Sequence, residues 1–387
     1  MEPFTLLIKP SGSDCNIDCK YCFYKARSPE FGQGRQRMNQ HVLEVLVKGY
    51  MQLGFPVVGF AWQGGEPTLM GVDFFKSAVQ LQKEYGREGQ QVSNTLQTNG
   101  LLLDERWCRF FHDNNFLLGI SIDGPREFHD YYRVDHSGCG TFDRVIRAIE
   151  NCRNHQVEFN ALILLNNRNV EHTDELFDFL IGNDITYLQF IPCIETDPAT
   201  GKPADFSITP NQYGDFLCRL FDRWYDYGTE KLNIREFDSL VTYLVMGSHT
   251  ICTYSKQCAG FVVIEHTGDA FCCEFFVGPK WRLGNILETP LERLAVSANK
   301  RAFAREKQNL PGKCLVCRYL DICRGGCMKD RVRWNDNLNR ESYFCEGYKQ
   351  FFDYTMPRFM QIAAAIKNGS ADRHTRPADR VRLHIRK

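Results

Sequence analysis

Up to about residue 225, short apolar runs rich in β-branched and aromatic residues alternate with segments whose apolar positions recur every three to four residues. The runs Thr5–Lys9, Val57–Trp62, Val92–Gln97, Leu117–Ile122, Val157–Leu164 and Thr186–Ile191 predict strands. Between them lie helical patterns. In HTDELFDFLIGND, Thr173 is placed as N-cap, Leu176, Phe177, Leu180 and Ile181 share a face, and Gly182-Asn183 ends the helix. Six strands, each followed by a helical segment, predict a parallel sheet with right-handed crossovers. Their close spacing suits an α/β partial (β/α)6 barrel of TIM type, with a doubly wound sheet as the alternative. After Trp224 the alternation ends, and cysteines crowd the stretch from Cys252 to Cys345. A smaller cysteine-rich domain organised by metal centres is expected there. The expected domains are 1–230 (barrel), 231–350 (cysteine-rich) and 351–387 (a helix and a frayed basic tail).

Composition narrows the functional classes. Hydrophobic residues make up 43%, enough for a sizeable core, and Lys+Arg and Asp+Glu both number 47. Neutrality argues against an electrostatic nucleic-acid binder. No apolar run reaches the roughly 20 residues of a membrane helix. The opening MEPFTLLIKPSGSDC lacks a basic n-region and a long apolar core, so a cytoplasmic protein is expected. Disulfides are rare in that reducing compartment, and 17 cysteines point instead to metal or iron–sulfur ligation.

Cys15, Cys19 and Cys22 follow the first strand with spacing C-x3-C-x2-C. In a parallel barrel that loop lies at the C-terminal mouth, where active sites form. Three thiolates can hold three irons of a four-iron cluster and leave the fourth open to a small molecule. A three-cysteine zinc site completed by a distant His is the other reading of the spacing. With Tyr21 before the last cysteine, the stretch CNIDCKYC resembles the radical S-adenosylmethionine enzymes. That resemblance implies an open iron chelating the cosubstrate's methionine moiety, and sulfonium cleavage to a 5′-deoxyadenosyl radical. It also assigns cosubstrate contacts at strand ends: Gly64, Gly65 and Glu66 in WQGGEPTL, Gln97 and Asn99 in LQTNG, and Ser121 and Asp123 in SIDGP. Arg133 in YYRVD resembles the arginine that reaches the cosubstrate carboxylate, and Ile194 matches a backbone contact to the adenine.

The later cysteines form C-x9-G-x4-C from Cys258 to Cys273, then Cys314-x2-Cys317-x5-Cys323-x3-Cys327, then Cys345, with Cys252 preceding the set. Eight thiolates fit two four-ligand clusters, although Cys314, Cys317, Cys323 and Cys327 alone would also suit a zinc ribbon. The full array resembles the SPASM domain of radical enzymes that modify peptides. By that resemblance Cys252, Cys258, Cys273 and Cys327 hold one auxiliary cluster, and Cys314, Cys317, Cys323 and Cys345 the other. Cys272 is a competing neighbour that the G-x4-C spacing disfavours.

Across nearly its whole length the chain resembles the anaerobic sulfatase-maturating enzymes, through IKPSGSDCNIDCKYCFY, FAWQGGEPTL, LQTNG, GISIDGP, LQFIPC, KWRLGN and YFCEGYK. The resemblance implies oxidation of a sulfatase Cys or Ser to Cα-formylglycine, with three 4Fe-4S clusters and S-adenosylmethionine as cofactors. The implied partners are an unfolded or nascent sulfatase and a flavodoxin or ferredoxin donor, for a monomeric enzyme. Where the family places an Asp as candidate base, this chain has Glu274, one methylene longer. Gln63 and Tyr24 resemble substrate-facing positions. The rival expectations are a radical enzyme crosslinking a ribosomal peptide, a non-enzymatic zinc module and, more weakly, a radical RNA modifier.

Overall fold

The computed structural model describes residues 1–24, 35–197, 199–331 and 339–369. It divides into two compact units, one of Met1–Ile122, His129–Phe159 and Cys258–Arg305, the other of Asp123–Phe128, Asn160–Gln257 and Glu306–Lys387. Most of the expected basic tail, 370–387, lies outside the described residues.

The first unit is built on β1 (Thr5–Lys9), β2 (Val57–Trp62), β3 (Gln91–Thr98) and β4 (Phe116–Ser121), paired in parallel and in sequence order. β1 is flanked on both edges and buried on both faces, and the second of these explains its apolar Leu6–Ile8 run. One neighbour is β2. The other is a strand from the cysteine-rich region, Phe261–Glu265, which runs parallel to β1 with Lys9 opposite Glu265. Two short antiparallel strands, Asp269–Phe271 and Arg282–Asn285, extend that edge. The sequence pattern alone did not reveal these three, because FVVIE sits among cysteines and short loops that mask strand–helix alternation.

Helices cover this sheet through ordinary amphipathic stripes. In α1 (Gln40–Met51) Asn39 caps Val42 N, and Val42, Leu43, Leu46, Val47, Tyr50 and Met51 are buried. α2 (Val72–Tyr85) and α3 (Glu105–Asp113) contribute Phe75, Trp107 and Phe111 to an aromatic core with Trp62 and Phe116. Asp104 caps α3 at Trp107 N.

The second unit holds β5 (Phe159–Leu165), β6 (Tyr187–Pro192) and β7 (Asn233–Ile234), again parallel. The helix expected after β5 spans Thr173–Gly182 with Leu176, Phe177 and Leu180 buried. Its N-cap position is His172, and Thr173 is its first helical residue, buried in the core. The helix Pro210–Tyr227 starts with a Thr209/Gln212 capping box. The long helix Cys345–Lys367 packs on it so closely that a Cβ on Gly347 would lie 2.3 Å from the Pro210 carbonyl oxygen. Phe221, Phe237, Phe351 and Phe359 fill the space between these helices and Arg235–Met246.

Candidate active site and cluster sites

In the first unit the segment after β1 carries Cys15, Cys19 and Cys22 and is held from both sides. Asp18 N donates to the Val134 carbonyl (2.7 Å), Lys20 N to that of Tyr132 (3.1 Å), and Ile17 bridges to Asp135. On the other side Gly65 N donates to the Gly12 carbonyl and Glu66 N to that of Asp14, each at 2.8 Å. The backbones meet so closely that a Cβ on Gly65 would lie 2.0 Å from the Asp14 carbonyl oxygen. The glycine pair is therefore needed to join the β2 loop to the cysteine loop.

Glu66 is fully buried. One carboxylate oxygen accepts from Thr68 N, Thr68 Oγ1 and Thr98 Oγ1, the other from Asn99 N at 2.8 Å. Burial pushes this carboxyl up and the four donors pull it back. Its geometry ties the end of β2 to the end of β3, and thereby sets Asn99. Asn99 Nδ2 donates to Asn16 Oδ1 (2.7 Å) and lies 3.6 Å from Cys15 Sγ. Arg133, buried, stacks its guanidinium 5.5 Å from the Tyr21 ring centroid and places Nη1 4.0 Å from Cys19 Sγ. Ser121 is buried at the end of β4, whereas Gln97 is exposed on the face of β3 opposite Leu96 and Thr98. Burial, followed by the charge of Glu66, pushes the Cys15 thiol up to about 12. A bare thiolate is thus disfavoured there, and an iron cluster is the partner that would favour it.

Two of the remaining candidates belong to the second unit. Asp123 accepts the Leu164 N–H on its carboxylate (3.2 Å) and the Asn169 side-chain amide on its carbonyl (3.0 Å). Ile194 is fully buried just past β6.

Gln63 and Glu274 come together: Gln63 Nε2 donates to Glu274 Oε2 at 2.7 Å, and Gln63 N is fixed by the Ile8 carbonyl (2.8 Å). Their separation of 211 positions in sequence is bridged by the strand Phe261–Glu265 beside β1. Next to Glu274, the Phe275 ring meets Phe23 at 5.6 Å. Tyr24 is buried under the Lys9 ammonium, 4.5 Å from its ring centroid. Lys9 Nζ also faces Glu265 Oε1 at 3.8 Å, with both side chains buried. Burial drives Glu265 up to about 7; Lys9 opposes this, while Asp269 and Glu274 add to it. Sequence reasoning gave Lys9 and Glu265 no role, although a lysine closing an apolar strand was a usable signal.

Of the later cysteines, Cys258 and Cys273 lie in the first unit and Cys252 and Cys327 in the second. Cys314, Cys317, Cys323 and Cys345 line one cavity of the second unit with Tyr319, Tyr348 and Phe352. Burial lifts Cys345 to about 12 and Cys323 to about 11, while the N–H groups of Gly325 and Gly326 act to stabilise the Cys323 thiolate. Four thiols converging on one apolar-walled cavity, with backbone donors aimed at a sulfur, fit an iron–sulfur cluster.

Comparison with known proteins agrees with this chemistry. Residues 10–180 match the Radical SAM superfamily, and residues 252–318 match SPASM, an iron-sulfur cluster-binding domain. The protein is therefore a radical S-adenosylmethionine enzyme with a SPASM domain. It is 35% identical over 370 residues to a cysteine-type anaerobic sulfatase-maturating enzyme of Clostridium perfringens, covering 95% of this chain and 100% of that one. It is 36% identical over 388 residues to a serine-type anaerobic sulfatase-maturating enzyme of Bacteroides thetaiotaomicron, covering 96% and 94%. Its fold matches the solved structure of native anSMEcpe with bound AdoMet and Cp18Cys peptide at a TM-score of 0.87 and 34% identity, over 94% of this chain and 99% of that one. The chain belongs to the family of anaerobic sulfatase-maturating enzymes.

Proposed function

We propose that this enzyme oxidises one Cys or Ser of an unfolded or nascent sulfatase to Cα-formylglycine. The observation that carries the reading is the Gln63–Glu274 hydrogen bond, which orients a carboxylate within the unit that bears Cys15, Cys19 and Cys22. Those three cysteines are assigned to the cosubstrate-binding cluster. Cys252, Cys258, Cys273 and Cys327 are assigned to one auxiliary cluster, and Cys314, Cys317, Cys323 and Cys345 to the other. The barrel is assigned to 1–230, the SPASM domain to 231–350 and the C-terminal helix and tail to 351–387. The assigned setting is a cytoplasmic monomer reduced by a flavodoxin or ferredoxin.

When bound, the clusters and S-adenosylmethionine supply the adenosyl radical that takes the target's Cβ hydrogen and an acceptor for the second electron. The chain's own part is positional and acid–base. Glu274 takes the proton from the target Sγ or Oγ, and Gln63 holds its carboxylate so that one oxygen faces the target. Arg133, with Tyr21 stacked on it, offers its guanidinium to the cosubstrate carboxylate. Asn99 fixes the Cys15 loop through Asn16. Loss of one hydrogen atom, one proton and one electron turns a Ser side chain into the aldehyde. A Cys side chain gives a thioaldehyde, which water converts to the aldehyde with release of hydrogen sulfide.

Anaerobic incubation with S-adenosylmethionine, reductant and a sulfatase-motif peptide tests this. The expected product has lost two hydrogens from a Ser peptide, or lost two hydrogens and exchanged sulfur for oxygen in a Cys peptide, and reacts with a hydrazine probe. A dehydrogenated peptide that fails to react with the probe would identify a crosslinking enzyme instead.

A further inference from the structure

Three cations are buried beside the cysteines of the second half of the chain, each gripped by backbone carbonyls. In the first unit Lys300, 6% exposed, donates from Nζ to the carbonyls of Phe261 and Cys272; burial lowers its ammonium, and the neighbouring Cys272, Cys273 and Cys258 sulfurs oppose that. In the second unit Lys307, 1% exposed, donates to the carbonyls of Cys252 and Thr253 at 2.7 Å each. In that same unit Arg331, 3% exposed, spans the carbonyls of Gly325 (2.9 Å), Lys307 (3.0 Å) and Arg324 (3.0 Å). Among the described residues, no carboxylate lies within ion-pair distance of Lys300 or Lys307.

Carbonyl dipoles compensate a buried cation only in part, and burying a net charge costs on the order of several kcal/mol per ion. For Lys300 and Lys307 a four-iron cluster held by four thiolates supplies that anion, since it is a dianion when oxidised and a trianion when reduced; Arg331 is tied to its cluster by the turn that it holds. The contacts follow the ligands closely. Lys300 holds the carbonyl next to Cys273, and Lys307 holds that of Cys252 itself. Arg331 holds the left-handed turn after Cys323, where Arg324 has φ 49°, Gly325 75° and Gly326 66°. A Cβ on Gly325 would stand 2.4 Å from Arg331 Nη2, so the turn is shaped around the guanidinium.

We propose that Lys300, Lys307 and Arg331 are built-in counter-charges of the two auxiliary clusters, positioning residues that raise the clusters' reduction potentials without ligating iron. The proposal rests on the cluster assignments above and not on the identity of the peptide substrate. A fixed positive charge favours the trianion over the dianion, so it makes each cluster a better electron acceptor. Lys300 acts on the cluster assigned to Cys258 and Cys273 of its own unit, and Lys307 on the cluster assigned to Cys252 and Cys327 of its own unit. Arg331 acts on the one assigned to Cys314, Cys317, Cys323 and Cys345.

The test is an anaerobic redox titration of the iron-loaded enzyme, followed by electron paramagnetic resonance, with iron counted in each sample. Lys300→Gln keeps a donor for the carbonyls but loses the charge; it should lower one auxiliary potential and leave the other unchanged. Arg331→Met should lower the other potential, and Arg331→Lys should leave both near the parent values. If the neutral variants fail to retain iron, Lys300→Arg decides: it should load fully and titrate like the parent. Fully loaded neutral variants with parent potentials would overturn the proposal and reduce these residues to structural ties. So would a Lys300→Arg variant that loses its iron, or an Arg331→Lys shift as large as that of Arg331→Met.

Discussion

Glu274 and Glu265 are carboxylates of one unit with opposite duties. Glu274 accepts from the neutral Gln63 amide at 2.7 Å, a contact that would orient the proposed base. Glu274→Gln should still cleave S-adenosylmethionine but lose product formation by roughly 10²–10⁴-fold, the usual worth of a positioned base. Quantifying 5′-deoxyadenosine against formylglycine checks this, and product at the parent rate would make Glu274 a bystander. Glu274→Asp withdraws the carboxylate by about an ångström and gives up the Gln63 contact, so it should fall between parent and Gln variant. Glu265 is a matter of stability. Its carboxyl is raised by burial from 4.5 in the unfolded chain to about 7 in the fold. The folded protein therefore binds this proton more tightly, and the associated stability is present below pH 4.5 and lost as pH rises towards 7. At about 1.4 kcal/mol per unit this amounts to roughly 3.5 kcal/mol at most. The unfolding midpoint should fall between pH 5 and 7.5 in the parent, and Glu265→Gln should flatten that slope. An unchanged slope would place the titration elsewhere.

At the scale of elements, the loop after β2 is a clasp rather than a free ligand-binding turn. Its backbone is laced to Gly12 and Asp14, and Glu66 carries the lacing on to β3. Gly65→Ala would drive a Cβ into the Asp14 carbonyl and push the cysteine loop outward. The expected result is loss of the iron share bound by Cys15, Cys19 and Cys22, with the auxiliary share retained, read by iron analysis of the variant. Full iron would show that the loop can yield. The strands of this clasp were legible in the sequence because short runs with β-branched and aromatic residues alternate with helical patterns, and all six expected strands appear with ends shifted by two residues at most. The strand Phe261–Glu265 was not, because nothing local announces that a cysteine-rich segment returns to pair with β1. The same long-range pairing hid the Lys9–Glu265 contact and the Gln63–Glu274 bond, whose partners are more than 200 residues apart. The cysteines proposed as ligands stand out in the sequence because their spacing is a local property of the chain. Their buried counter-charges do not, since a lysine in a helix reads as surface until its burial is seen.

For the whole molecule, the clusters should contribute unequally to stability, in proportion to how much chain each one closes. Cys15 to Cys22 spans eight residues, already fixed by backbone bonds to Val134 and Tyr132 and, just ahead of it, by those that Gly65 and Glu66 donate to Gly12 and Asp14. Cys314 to Cys345 spans 32 residues, and Cys345 opens the long helix that packs through Gly347 and Phe351 into the core of the second unit. Two doublings of loop length correspond to about 1 kcal/mol of closure entropy, to which the ligation energy of four thiolates adds directly as folding energy. Replacing Cys15, Cys19 and Cys22 together by Ala should abolish 5′-deoxyadenosine formation, keep the auxiliary iron and lower the unfolding temperature only slightly. Cys317→Ala should lose one auxiliary cluster and unfold at a clearly lower temperature, with poorer solubility. Anaerobic thermal unfolding of both variants, with iron counted in each, gives the comparison. If the triple variant proves the less stable of the two, the short loop is not preformed by its backbone contacts and depends on its cluster to fold. If Cys317→Ala keeps the parent's iron and unfolding temperature, Cys317 is not a ligand, and the cavity it shares with Cys314, Cys323 and Cys345 must be filled by another group.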